Sequence, residues 1–250
     1  MRPKADKQSI RLFYLLKLLN KCHREHNLLE EGDRIALVLS GGKDSCTLLD
    51  VLLKRRGFEK YTLVPIHVTP AADMDCDAHA DTDALAAWLD SLGVEYHLIP
   101  AQEVQGKPRR ANQSACFYCA WRRRKALFDK AQALGCNKLA LAHNADDVAQ
   151  TTLLNLFYQG QIETMYPRVS FFGDNLIVIR PLTYLREAEI ARYAEKAGFP
   201  PPPPPCPTGQ NSNRALMGQI LEAVEQTNPK VRIHLWRAVE RYQRLAQEGT

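Results

Sequence analysis

A chain of 250 residues, 45% hydrophobic and 24% charged, has enough material for one α/β domain with additions and the composition of an ordinary soluble protein. No apolar stretch approaches the ~20 residues needed to cross a bilayer, and Met1-Arg2-Pro3-Lys4-Ala5-Asp6-Lys7 leads into an amphipathic segment rather than a secretion signal, so no membrane partner and a cytoplasmic location are expected. Seven cysteines, an odd number, argue in that reducing setting against a disulfide framework and for metal or thiol chemistry, while a net charge of +5 is too small to specify a partner.

Across residues 8–27, Ile10, Phe13, Leu16 and the cluster Leu15, Leu18, Leu19 recur at roughly helical spacing. They predict an N-terminal amphipathic helix whose exposed face is compatible with a homodimer. Residues 35–39 then predict a strand and 46–53 a helix, with Ser40-Gly41-Gly42-Lys43-Asp44-Ser45 between them. A strand that breaks at two glycines and turns into a helix aims several backbone N–H groups and the positive helix end at one spot, which suits an oxyanion such as phosphate. Lys43 adds a full positive charge, and Ser40 and Ser45 add hydroxyl donors. Asp44 makes sense beside phosphate mainly if a divalent cation lies between them, so the loop is expected to take a magnesium nucleotide. Its spacing is not that of the GxxxxGK[ST] loop, and a plain Gly/Ser surface turn is the bland alternative.

Further along, residues 62–68 predict a second strand carrying His67 near its end, 78–92 a helix, 94–99 a third strand and 121–134 a helix. Residues 138–142 predict a short buried strand, 145–158 a helix and 176–179 a last strand. Strands alternating with helices imply an α/β fold with a doubly wound parallel sheet covered on both faces. Ligands gather beyond the carboxyl ends of such strands, where loop 40–45 and the run His143-Asn144-Ala145-Asp146-Asp147 both fall. The two aspartates either cap the helix they begin or supply a carboxylate for Mg²⁺ or for a base, with His143 beside phosphate or substrate.

Residues 100–119 are polar and without period, as in a long functional loop. Between Lys107 and Lys125 there are seven basic residues and no acidic one, interleaved with Phe117, Tyr118 and Trp121. Such a segment either holds phosphates and stacks unpaired bases of RNA or forms a solvated basic face. Cys116-Phe117-Tyr118-Cys119 is a CxxC that suits half a zinc site, a redox pair or a cluster anchor. No second CxxC exists, and the natural third thiolate is Cys206, behind the six-proline run 200–205, which acts as a stiff polyproline spacer or an inert linker. Three thiolates suit an iron–sulfur cluster with one iron left open; a catalytic persulfide or a zinc site are the alternatives. Cys22, Cys46 and Cys136 read as small buried hydrophobes, and Cys76 sits in an acidic loop. Two further helices are predicted over 213–226 and 231–247, giving three parts: a helical segment 1–30, a nucleotide-binding α/β unit 31–199, and a C-terminal part 200–250.

The loop 40–45 matches the SGGxDS pyrophosphate loop of the PP-loop ATP pyrophosphatases, and within that superfamily the chain resembles the tRNA 2-thiocytidine synthetase family from about residue 10 to about 225. The resemblance implies an adenine-nucleotide α-hydrolase-like fold and cleavage of ATP to AMP and pyrophosphate, in order to adenylate a carbonyl oxygen. It places ATP at Ser40, Gly41, Gly42, Lys43, Asp44 and Ser45, with Mg²⁺ at Asp44 and Asp147 and adenosine at the end of the second strand beside His67. Residues 142–147 are similar to the family's Gly-His-His-x-Asp-Asp, with Ala142 and Asn144 replacing its first and third positions, and Ile179-Arg180-Pro181-Leu182 matches its Arg-Pro-Leu, placing Arg180 near ATP phosphates or RNA. Lys43, Asp44, Asp146 and Asp147 thereby take catalytic roles. Cys116, Cys119 and Cys206 take the places of thiolates holding a [4Fe-4S] cluster whose free iron carries sulfur; Pro205-Cys206-Pro207-Thr208-Gly209 stands where the family has Pro-Cys-x-x-Cys-Gly. The implied product is 2-thiocytidine at position 32 of tRNA, with sulfur from a donor such as a cysteine desulfurase. Two other readings are adenylation followed by amine transfer, as in tRNA lysidine synthetases, and a redox-sensing nucleotide- or RNA-binding protein.

Overall fold

The structure is a computed structural model that describes residues 6–55, 59–69, 80–100, 115–171, 173, 175–204 and 213–248; side chains of 115–117 and 247–248 are not described. Helix α1 (Lys7–His26) begins at Asp6, whose carboxylate accepts the Gln8 and Ser9 N–H groups. It buries Leu15, Leu19 and Cys22, one stripe at helical spacing. Strand β1 (Arg34–Val38) leads into α2 (Lys43–Lys54), followed by β2 (Thr62–Thr69), α3 (Thr82–Leu92), β3 (His97–Pro100), α4 (Ala115–Ala133), β4 (Lys138–Ala140) and α5 (Ala145–Leu154). After a π-helical turn (Asn155–Gln159) come β5 (Arg168–Phe171), β6 (Leu176–Ile179), α6 (Glu187–Ala194), α7 (Asn213–Glu225) and α8 (Val231–Glu248).

The six strands lie in the order β3-β2-β1-β4-β6-β5, parallel except for β5, which runs antiparallel along β6. The expected doubly wound α/β sheet is therefore present, with the N-terminal helix and C-terminal helices added. One apolar cluster packs the α1, α2 and α6 side of the sheet through Leu19, Leu48, Leu52 and Tyr193; another packs the α4 side through Val64, Ile66, Ala131 and Val178. A third joins α5 to the C-terminal helices through Leu153, Met217 and Leu221. Because β2 lies on one side of β1 and β4 on the other, the chain reverses direction of growth at β1, and a crevice opens there between the loops after β1 and β4.

Several boundaries differ from the periodic pattern. The third strand starts at His97 rather than at residue 94, and α3 starts at Thr82 because Asp81 caps it. Helix α5 stops at Leu154, where the backbone widens into the π turn and Leu156, Phe157 and Tyr158 face outward. Strand β5 shows no apolar run because it is a partly exposed edge, and α6 is too short, at eight residues, to set up a clear period.

Candidate active site

At the carboxyl end of β1, the backbone needs a left-handed residue: Gly41 has φ +82°, and a Cβ there would lie 2.4 Å from Ala80 Cβ. Both demands exclude a side chain at this position. Gly42 then takes the N-cap of α2 with no side chain capping it, so the N–H groups of the first turn, at Lys43, Asp44 and Ser45, lack intrahelical acceptors and face the crevice end. Ser45 is buried and braces the turn instead of reaching outward. Its hydroxyl donates to the Gly42 carbonyl (2.9 Å) and accepts from the Ser40 N–H (3.2 Å), while Ser40 Oγ lies 3.0 Å away and accepts from the Gly42 N–H (3.3 Å). The turn is thus held in an anion-ready shape before any ligand arrives.

Lys43 Nζ stands 2.7 Å from Glu187 Oε1 and 3.4 Å from Asp44 Oδ2. Burial works against the ammonium charge, but the two carboxylates outweigh it and hold the Lys43 pKa above its usual value. Asp44 is pushed the other way. Burial raises its pKa to about 6, Lys43 opposes that, and the nearby charges of Glu187 and Asp147 add to it. Its Oδ1 is enclosed and accepts no hydrogen bond. A carboxylate crowded by two others and carrying an unused buried oxygen fits a place that gains a cation when phosphate comes. Among the described residues, no group of three His, Cys, Asp or Glu is already arranged to hold a metal ion.

Across the crevice, Asn144 caps α5: its side chain accepts the Asp146 and Asp147 N–H groups, and the Asp147 carboxylate accepts the Asn144 N–H (3.0 Å). Asp147 Oδ1 also pairs with Arg214 (3.1 Å) from α7. Asp146 accepts the Glu187 N–H (2.8 Å) with one oxygen and pairs with Arg232 Nε (2.6 Å) from α8 with the other. His143 Nδ1 accepts from Arg180 Nε (3.3 Å), which leaves the ring proton on Nε2. Burial, then the charges of Arg180 and Arg214, lower its pKa to about 4 against the opposing pull of Asp147, so the ring is neutral at physiological pH. Arg180 also donates to the Tyr166 carbonyl (2.6 Å). His67 is buried at the end of β2, and its Nδ1–H donates to the carbonyl of Leu39 (2.7 Å), bracing the residue that precedes the glycine turn.

The structure therefore gathers Ser40 to Ser45, Asp147 and Glu187 into one electrostatic group, with His143 and Arg180 joined to it through Asp147. Glu187, Arg214 and Arg232 were not visible as site residues in the sequence. The only hint was an acidic residue seven positions after Arg180.

Of the cysteines, Cys22, Cys46 and Cys136 are buried; burial pushes the first two thiols up to about 12 and raises the third. Cys119 is partly exposed on the first turns of α4, three residues after Cys116 on the same helix. Cys206 and Cys76 lie outside the described residues, as do residues 101–114 of the basic loop and Pro205. Tyr118 and Trp121 stack on each other (5.9 Å between centroids, 15° between planes), and Arg122 lies 5.7 Å from the Tyr118 ring.

Residues 14–200 match the model of a family described as PP-loop domain. Over 225 residues, 88% of this chain and 86% of the relative, the sequence is 38% identical to a tRNA-cytidine(32) 2-sulfurtransferase of Geobacter metallireducens. The chain belongs to that family. It is also 36% identical to the tRNA-cytidine(32) 2-sulfurtransferase of Geobacter sulfurreducens, over 92% of this chain and 90% of that one. Among solved structures, its fold is like that of the U34-tRNA thiolase NcsA from Methanococcus maripaludis with its [4Fe-4S] cluster, at a TM-score of 0.77 and 23% identity over 94% of this chain and 79% of the other. Membership accounts for the glycine turn as the loop of a PP-loop domain. Among the described residues, no helix is long and apolar enough to cross a membrane.

Proposed function

We propose that this chain is an ATP-dependent tRNA sulfurtransferase that adenylates the C2 oxygen of a cytidine, at position 32 of tRNA, and replaces that oxygen with sulfur. The observation that carries the reading is the uncapped start of α2, with Lys43 beside Asp44 and its one enclosed oxygen, in a member of a 2-sulfurtransferase family. The N–H groups of Lys43 to Ser45 and the Lys43 ammonium would bind the triphosphate. The arriving phosphate replaces Glu187 as the partner of Lys43, and Asp44, with Asp147 nearby, would take Mg²⁺ between carboxylate and phosphate. The C2 oxygen attacks the α-phosphorus and pyrophosphate leaves, so that the oxygen becomes part of a good leaving group. A sulfur nucleophile then forms the C–S bond as AMP departs with the oxygen. The neutral His143 presents its Nε2–H as a hydrogen-bond donor at the crevice, a group that steadies charge without carrying any.

Cys116, Cys119 and Cys206 would hold a [4Fe-4S] cluster. Support comes from the donor chemistry: Cys119 is partly exposed, unlike the three buried thiols, and paired soft thiolates at CxxC spacing suit iron–sulfur ligation. When bound, the cluster supplies an iron with an open coordination position for sulfur. In the same proposal, the donor is a cysteine desulfurase, the enzyme is cytoplasmic, and a second copy packs on the exposed Ile10 and Phe13 of α1. The division into 1–30, 31–199 and 200–250 follows the same reading.

The test is an anaerobic assay of purified chain with a tRNA transcript, MgATP and sulfide, with tRNA-dependent ATP–pyrophosphate exchange and thiolated nucleoside as readouts. Exchange together with sulfur incorporation that Cys116→Ala abolishes is expected. A reconstituted protein with neither iron nor cluster absorption, and thiolation that survives Cys116→Ala, would refute the cluster.

A further inference from the structure

Beside the nucleotide crevice lies a second cleft that the chemistry above does not use. It encloses about 380 Å³ between α1 and α8, and the rings of Tyr14, Tyr184 and Trp236 form its walls. Those walls are braced: Trp236 meets His26 and Tyr184 edge-on at 6.1 Å each, and the Tyr184 hydroxyl donates to Glu25 (2.7 Å). Tyr14, which lines the cleft, remains 42% exposed.

Cations stand in two rows on the two helices that bound this cleft. On α1, Lys17, Lys21 and Arg24 follow one another at four and three residues, and on α8 Arg237, Arg241 and Arg244 do the same. Lys21 and Arg237 line the cleft itself, and Arg241 and Arg244 line a depression continuous with it through Arg237 and Glu240. All six are exposed. Lys17, Arg24, Arg237, Arg241 and Arg244 form no ion pair among the described residues, and Lys21 has a 3.9 Å contact with Glu25 and lies over the Tyr184 ring at 5.5 Å from its centroid. Two cation rows about 10 Å long, on the helices that bound a ring-walled slot whose lining carboxylates are Glu25 and Glu240, match a phosphate backbone with one base turned inward.

The position of the cleft fits the same ligand. Arg232 lines it and pairs with Asp146, and Arg186 lines it directly before Glu187, the partner of Lys43. A molecule seated there is one side chain away from the nucleotide site. We propose that the α1–α8 cleft is a docking surface for the tRNA substrate away from the reacting cytidine, its two cation rows holding phosphates and its rings accepting an unpaired base. This inference rests on the reading of the chain as a tRNA sulfurtransferase. An acidic protein partner would use the cations and leave the rings idle.

The experiment measures tRNA binding by filter retention from low to moderate salt. Arg237→Glu/Arg241→Glu weakens binding tenfold or more and flattens the plot of log affinity against log salt by roughly two, one for each phosphate no longer neutralised. Arg192→Glu/Lys196→Glu, the same charge change on α6 and just beyond its end, outside the cleft, stays within twofold of wild type. Tyr14→Ala weakens binding severalfold at unchanged salt slope, the mark of stacking. Should circular dichroism show that the arginine pair misfolds, Lys17→Glu/Lys21→Glu on α1 carries the same expectation. Cleft variants that bind like the α6 control, while wild type binds tRNA, overturn the surface and leave the sulfurtransferase reading standing. A Tyr14→Ala protein that binds like wild type overturns the base slot. A wild-type chain that retains no tRNA overturns the reading beneath both.

Discussion

Two helices start side by side at the switch point of the sheet, α2 after β1 and α5 after β4, and their first turns are chemically opposite. Each carries acidic residues in its first turn, Asp44 in α2 and Asp146 with Asp147 in α5. Yet α5 is closed: Asn144 and Asp147 satisfy each other's backbone in a capping box, and Arg214 and Arg232 neutralise the carboxylates. Helix α2 is open, with glycine at its cap and no side chain on the N–H groups of its first turn. The α5 start commits its capped N–H groups to the fold, and the α2 start keeps its N–H groups for a ligand.

The largest effect that would sharpen this contrast comes from Lys43→Ala, which removes the charge at the open start. A fall of roughly a hundredfold or more in kcat/KM for ATP–pyrophosphate exchange is expected, in the range for losing one preorganised electrostatic contact at a reacting centre. Exchange within a few-fold of wild type would place the nucleotide elsewhere. Next is Gly41→Ala. Its left-handed backbone alone costs roughly 1–2 kcal/mol for a residue with a Cβ, and the contact with Ala80 adds to that. Urea unfolding should shift accordingly, together with weaker ATP binding; an unchanged midpoint would mean that the turn relaxes freely.

Asn144→Ala, by contrast, should act on the fold: about 1 kcal/mol of stability and roughly 2–4 °C in Tm for a chain of this size, from loss of the cap. A large drop in ATP affinity without loss of Tm would erase the distinction between the two starts. The pH profile separates them in another way. With its pKa raised to about 6, Asp44 becomes fully charged only above that point, so cation-dependent exchange should climb through pH 6 and Asp44→Asn should remove that limb. The sign also holds for stability: a raised carboxylate pKa favours the folded state most at low pH, and that contribution fades between the ordinary value near 3.8 and about 6. His143, lowered to about 4, contributes nothing to a limb near 6, and a limb that persists in Asp44→Asn would contradict this assignment. The smallest effect belongs to Glu187→Gln, which frees Lys43 from an exposed competitor. A roughly two- to fivefold lower KM for ATP is expected, because such exposed pairs are weak. A higher KM would instead make Glu187 part of the bound site.

How much of this was readable in the residue order depends on distance along the chain. The glycine turn was legible because strand, Gly41-Gly42 and helix are contiguous, and each demands the others. The run from His143 to Asp147 was legible for the same reason. Its closure was not, since Arg214 and Arg232 come from α7 and α8, more than sixty residues away, and nothing local pairs them with α5. Glu187 escaped notice because α6 is short and two acidic residues in its first turn look like ordinary dipole partners. The rings of the basic segment carried no sign of their mutual geometry: Tyr118 and Trp121, offered by the sequence for stacking bases, lie one turn apart on α4 and stack on each other. Edge strand β5 and the π turn after α5 carry no periodic signal, since both expose most of their side chains.

The most direct test of the central claim compares tRNA nucleosides, by mass spectrometry, from cells whose sole copy of this chain is wild type or Lys43→Ala. The open start of α2 as the site of ATP-driven thiolation predicts 2-thiocytidine in the first and its loss in the second. Equal 2-thiocytidine in both strains would contradict it.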